Sequence, residues 1–297
     1  MKKRTTRQWL LFISVALVGV TLIAVEAYLI IPPVRIRAVS VREAVGADGS
    51  LVGMFSDADP QVQLAASSAL ARRGPKAVPA LRRGAEHPDP QVRTFSLITL
   101  GQIGPPARDA FATIQDRARN DPDPEVRRVA ISAIASVGDG DTETISALVA
   151  VLESGDDGRL DAARTLGGNP KCKVAEAVPA LTRRLKDSSA KVREQAAESL
   201  GAMAPVTAPA VRALIEALRD SQAEVRAEAA EALGQLAAFT RSAVPELIFA
   251  LNDPDPKVRS EVAGTLERIA REWGEGEPAL RQQAVDALRQ VGRSPST

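Results

Sequence analysis

Asp89-Pro90-Gln91-Val92-Arg93 has the chemistry of a helix start. An aspartate side chain can accept from the free amides of a first turn, and the proline after it fills a position where no amide donor is needed. Counting from Val92, small or apolar residues follow at +4, +5 and +8: Ser96, Leu97 and Leu100. That spacing lines one face of a helix. Eleven residues before Val92 stands Leu81, inside Val78-Pro79-Ala80-Leu81, which reads as a shorter helix packed ahead of the first.

The same phrase recurs along the chain. The valine position returns as Val62, Val92, Val126, Gly158, Val192, Val225 and Val258, with gaps of 30, 34, 32, 34, 33 and 33 residues. Eight residues beyond each stands Leu70, Leu100, Ile134, Leu166, Leu200, Leu233 or Leu266. Helix starts with aspartate and proline appear again at Asp59-Pro60, Asp123-Pro124 and Asp255-Pro256, and Gly101, Gly167, Gly201 and Gly234 leave room for close helix approach. No run alternates with period two, so strands are not expected. A period of 30 to 34 residues with a helix pair per unit predicts a stack in which each pair buries its apolar stripe against the next.

This pattern resembles HEAT repeats, specifically the short HEAT-like type named after phycobilisome lyases, over roughly residues 49–269. The resemblance implies an all-α, right-handed α-solenoid of about seven helix pairs. It also implies a polar ladder between repeats, from an acid in the turn within each pair to an Arg early in the second helix. The acid position reads Asp57, His87, Asp121, Glu153, Asp187, Asp220 and Asp253; the basic position reads Gln63, Arg93, Arg127, Arg159, Arg193, Arg226 and Arg259. His87 and Gln63 depart from it. Recurrence once per repeat marks these residues as structural, not catalytic.

The solenoid is expected over 48–272, followed by a capping helix over 277–291 and preceded by a linker over 32–47. Residues 1–8 carry Lys2, Lys3, Arg4 and Arg7, and 9–31 form an apolar run interrupted by Glu26. As a helix, Leu10 to Ile31 would span roughly 33 Å, enough for a hydrocarbon core of about 30 Å. The expectation is one transmembrane signal anchor with a cytoplasmic N-terminus and an extracytoplasmic solenoid. The rival reading is a cleaved signal peptide ending near Val25-Glu26-Ala27.

Net charge is +1 and aromatic residues make up 3%, which excludes a uniformly cationic nucleic-acid binder and an aromatic stacking platform. One Cys (Cys172) and one His (His87) exclude an internal disulfide framework and a Cys/His metal cluster. A hydroxylase resembling the HEAT-like di-iron type would need several His-Glu pairs, and His87 with Glu86 is the one pair present. Asp139 to Glu143 looks like the start of a calcium loop, but Ala150 stands where the bidentate Glu belongs, so the stretch reads as a helix-capping turn. Cys172, between Lys171 and Lys173, reads as a free thiol. No cofactor is called for. The expected class is a scaffold, with a HEAT-like lyase or hydroxylase as the alternative.

Register then suggests the binding face. If 0, +4, +5 and +8 face the core, then +2, +3 and +6 point away on the second helices. Those offsets expose Leu64, Phe95, Ile98 and Val129 in early repeats and Glu194, Glu198, Glu228, Glu231 and Glu261 in later ones, with Leu160, Asp161 and Arg164 between. A groove apolar at one end and acidic at the other suits a protein or peptide with an apolar anchor and a basic tail. The alternative is that the linker from Pro32 to Asp48 covers the apolar end.

Overall fold

The computed structural model describes residues 34–44, 46–154, 158–169, 175–203, 208–237, 240–272 and 278–290. The expected anchor 9–31 and Cys172 lie outside them. Among the described residues no helix is long and apolar enough to cross a membrane.

Among the described residues seven helix pairs follow one another. The second helices are the long ones: α3 (Pro60–Arg73), α5 (Pro90–Ile103), α7 (Pro124–Gly138), α9 (Gly158–Gly168), α11 (Ala190–Ala202), α13 (Ala223–Gln235) and α15 (Pro256–Glu272). Each is preceded by a shorter partner: α2 (Asp48–Val52), α4 (Val78–Gly84), α6 (Phe111–Asn120), α8 (Thr142–Leu152), α10 (Val178–Arg184), α12 (Ala208–Ala217) and α14 (Val244–Ala250). Each second helix packs on its own partner and on the second helices before and after it, as a solenoid requires. The second helices lie against one another along their length, whereas the first helices touch at few points. The more closely spaced layer is the inside of a curved stack, so the second helices line the concave side.

The starts form as their chemistry demands. Asp59, Asp89 and Asp255 accept from the amides of Gln61, Gln91 and Lys257 at 2.8–2.9 Å, and Asp123 accepts from Glu125 and Val126. Val62, Val92, Val126, Val192, Val225 and Val258 and the seven residues at +8 are buried. Asp141 accepts from the amide and hydroxyl of Thr144 at 2.8 and 2.6 Å, which makes Asp139 to Glu143 the cap of α8.

Two expectations need correction. The stretch 32–47 holds a helix, α1 (Val34–Ala44), which packs on α3 and α2, where the first pair would otherwise leave its outer apolar side in water. Val39 is buried, and Arg72 binds Glu43 through two hydrogen bonds of 3.0 and 2.7 Å. At the other end α16 (Pro278–Gln290) covers α15 through Ala284, Ala287 and Leu288. The second correction concerns the glycines. A Cβ at Gly201 would meet the backbone of Ala232 at 2.8 Å and one at Gly167 the backbone of Ser199 at 2.6 Å, so close approach depends on them; at Gly101 the nearest atom would stand at an ordinary 3.6 Å.

Candidate interaction surface

The ladder comes first because it sets the register of the surface. Arg93 Nη1 donates to the His87 and Pro88 carbonyls of its own turn, and Nη2 and Nε reach Asp121 of the next repeat at 2.7 and 2.8 Å. Arg193–Asp220 and Arg226–Asp253 repeat both contacts, and Arg159 meets Asp187 at 3.1 Å. The acid also closes its own turn: Asp57, Asp121, Asp187, Asp220 and Asp253 each accept the amide two residues on. Arg259, on the last described helix pair, donates to the Asp253 and Pro254 carbonyls.

Two rungs differ. Gln63 and His87 are the neutral occupants of one rung. Gln63 Nε2 donates to the Asp57 carbonyl at 2.5 Å, and His87 Nδ1 accepts the Asp89 amide at 3.1 Å, so both keep the turn contacts without charge. The expected Arg127–Glu153 rung does not form among the described residues. Arg127 donates to the Asp121 and Pro122 carbonyls, while Glu153 pairs with Arg183 of α10. Glu153 is the C-cap of α8, and its carboxylate lies toward α10 instead of toward Arg127.

On the second helices the structure divides the expected surface residues between exposed and covered positions. Leu64 at +2 is 60% exposed, and α1 leaves it so. Phe95 and Ile98 are half-buried; the Phe95 ring stacks on buried Phe55 with centroids 5.5 Å apart. Val129, expected on the surface, is buried at 9% exposure. The cause is the +3 row, which lies on the flank where adjacent second helices meet. Ala65, Phe95, Asp161, Glu228 and Glu261 of that row are half-buried, and Gln195 is buried. A short β-branched side chain there is covered, whereas Phe95 extends past its neighbours.

The flank position also decides the electrostatics of the acidic end. Glu228 is pushed up to about 7, first by burial and then by the charges of Glu231, Glu198 and Glu194, with Lys257 of α15 opposing. Asp161, at the same register, is likewise raised by burial against the pull of Arg164 and Arg128. Glu194, Glu198, Glu228 and Glu231 therefore form one electrostatic group across α11 and α13. Glu261 is half-buried on α15 and is not among the charges that move Glu228. Glu198 accepts from Gln195 at 2.7 Å and Glu231 from Gln235 at 3.3 Å, so amide groups partly offset the crowding.

Register did not reveal Phe249, 73% exposed on α14 in the outer layer. It borders a cleft of about 440 Å³ between the sixth and seventh repeats, walled also by Leu218, Arg219 and Glu246. The apolar pair Ile248-Phe249 beyond Leu247 was the available signal. Among the described residues no group of His, Cys, Asp and Glu is arranged to hold a metal.

The model of HEAT repeats matches residues 49–135, 145–222 and 211–297. Among solved structures, YibA of Escherichia coli is 18% identical, over 87% of this chain and 98% of that one, with a TM-score of 0.56. An engineered protein is 22% identical over 87% of this chain and 81% of its own, with a TM-score of 0.45. The search of curated proteins gives no match. The YibA likeness is one of fold.

Proposed function

The chain belongs to the HEAT-repeat family, and from that premise we propose that it works as a non-catalytic protein-binding scaffold. The partner lies along the concave face of the second helices, anchored on Leu64, Phe95 and Ile98. The segment 9–31 holds the scaffold to a membrane as a single-pass anchor, with the solenoid outside the cytoplasm and the repeats of the short, phycobilisome-lyase-like kind. The observation that carries the reading is exposed Leu64 beside half-buried Phe95 and Ile98, on a face continuous with the carboxylates of α11 and α13. Apolar side chains on a solenoid's inner face are typical anchors for a bound segment. The basic start and apolar length of residues 1–31 support the anchor.

In-cell crosslinking from position 64, followed by purification of the intact chain, tests the scaffold. One stoichiometric protein is expected, lost in Phe95→Ala plus Ile98→Ala with the helical melt retained. Crosslinks unchanged by the double substitution overturn the groove. A reporter enzyme active only outside the cytoplasm, fused after Thr297, should be active; a silent fusion overturns the topology.

A further inference from the structure

The two ends of the concave face differ in chemistry, and what separates them is also charged. Repeats one and two present Leu64, Phe95 and Ile98. Repeats three and four present Arg128 and Arg164, both exposed but paired with Glu125 and Asp161. Repeats five and six present Glu194, Glu198, Glu228 and Glu231, close enough that three of them together move the fourth. The order is apolar, charge-paired, anionic. A bound segment with a cationic end is attracted to the far end, which sets its direction.

We propose that the groove takes a cationic segment of a partner protein, with Lys or Arg side chains among Glu194, Glu198, Glu228 and Glu231 and an apolar residue on Leu64, Phe95 and Ile98. This rests on the scaffold reading and names the partner's chemistry. Spacing follows from the stack. Repeats two to five or six are three to four layers apart, roughly 30–40 Å at about 10 Å per layer. A helical segment covers that with about 20–27 residues, and an extended one with about 9–12.

The geometry explains why a cation is wanted there. Glu228 sits on the flank with Glu194 and Glu198 facing it from α11, Glu231 on its own helix and Lys257 from α15. At Glu228 the pull of Lys257 is outweighed by burial and by three neighbouring carboxylates. An incoming ammonium or guanidinium relieves that repulsion and favours the ionised Glu228 carboxylate, which is raised to about 7 in the free protein. Binding therefore releases a proton near neutrality and tightens as the pH rises from 6 to 8.

Three synthetic helical peptides test this against the detergent-solubilised full chain by fluorescence anisotropy. The first has a Leu-Phe anchor and four arginines separated by about 24 residues; the second replaces arginine with glutamate; the third keeps only the anchor half. The arginine peptide should bind at least tenfold tighter than the glutamate peptide, and tighter at pH 8 than at pH 6. Glu194→Gln/Glu198→Gln/Glu228→Gln/Glu231→Gln should remove that tenfold advantage and leave the anchor-half peptide unaffected. Leu64→Ser, at an exposed site, should weaken all three. Equal binding of the arginine and glutamate peptides overturns the proposal, as does an unchanged arginine peptide on the quadruple variant. Failure of every peptide to bind, from a groove filled by a second copy or by residues 1–33, overturns it as well. Equal peptides with the in-cell crosslinks intact leave the scaffold standing. Lost crosslinks with intact peptide selectivity do the reverse.

Discussion

Arg93 and Asp121 form a bidentate pair that joins the second repeat to the third, with side chains 7% and 0% exposed. Asp121 also holds the Asp123 amide, and Arg93 holds two carbonyls of its own turn. Two turns and two repeats thus converge on one ion pair. Removing one partner of such a pair leaves a buried charge and costs about 3–5 kcal/mol. Asp121→Ala should therefore loosen both repeats, read as faster amide exchange in α5 and α7. Replacing both partners as the neutral Gln63/His87 rung does (Arg93→Gln with Asp121→His) should cost less than Asp121→Ala alone. A double variant worse than the single would show that charge itself is needed there.

Asp253 is held below the usual carboxylate range, chiefly by its hydrogen bond from Arg226. Its folded-state pKa lies below its unfolded value. The stabilisation is therefore present above about pH 4 and is lost as pH falls through the folded value. Asp253→Asn should lower the melting temperature at pH 7 and flatten the loss of stability on acidification. Parallel acid-melting curves for the two proteins would refute the assignment.

Gly201 and Gly101 occupy the same register and differ in surroundings. Gly201→Ala forces a methyl group against the Ala232 backbone and should destabilise by about 1–3 kcal/mol. Gly101→Ala should be neutral or stabilise by about 0.5–1 kcal/mol through helix propensity. Thermal melts of the two variants decide it, and equal losses would mean that the approach at Gly201 is not tight.

For Glu228 the sign runs opposite to Asp253. Its pKa is raised to about 7 in the folded state, so folded protein holds the proton more tightly and stability falls as pH rises from the unfolded value through 7. Glu228→Gln should stabilise at pH 8, by on the order of 1 kcal/mol after solvent screening, and be close to neutral at pH 5. A variant destabilised equally at both pH values would mean that Glu228 acts through packing, not charge.

The fourth repeat has Gly158 in place of the core valine and lacks the Arg127–Glu153 rung among the described residues. Both losses weaken the same layer. Amide exchange should be fastest in α8 and α9, and slower in α11 and α13, where Arg193–Asp220 and Arg226–Asp253 tie adjacent repeats. Uniform protection from α7 to α13 would exclude a joint at that layer.

The helix pairs, their caps and four of the ladder rungs were legible in the residues alone. A solenoid is held together by contacts between neighbouring repeats, so its registers recur at a fixed spacing and one helix start, such as Asp89-Pro90, predicts the others. Tertiary structure decided whatever depends on the lateral spacing of helices. It placed the +3 row on the flank, which buries Val129 and raises Glu228. It turned Glu153 toward Arg183, made a capping helix of 34–44 and left Gly101 with room that Gly201 lacks. Periodicity says which face of a helix is apolar. How near the next helix stands, and which charges it brings, depends on side chains about thirty residues away that no single repeat contains.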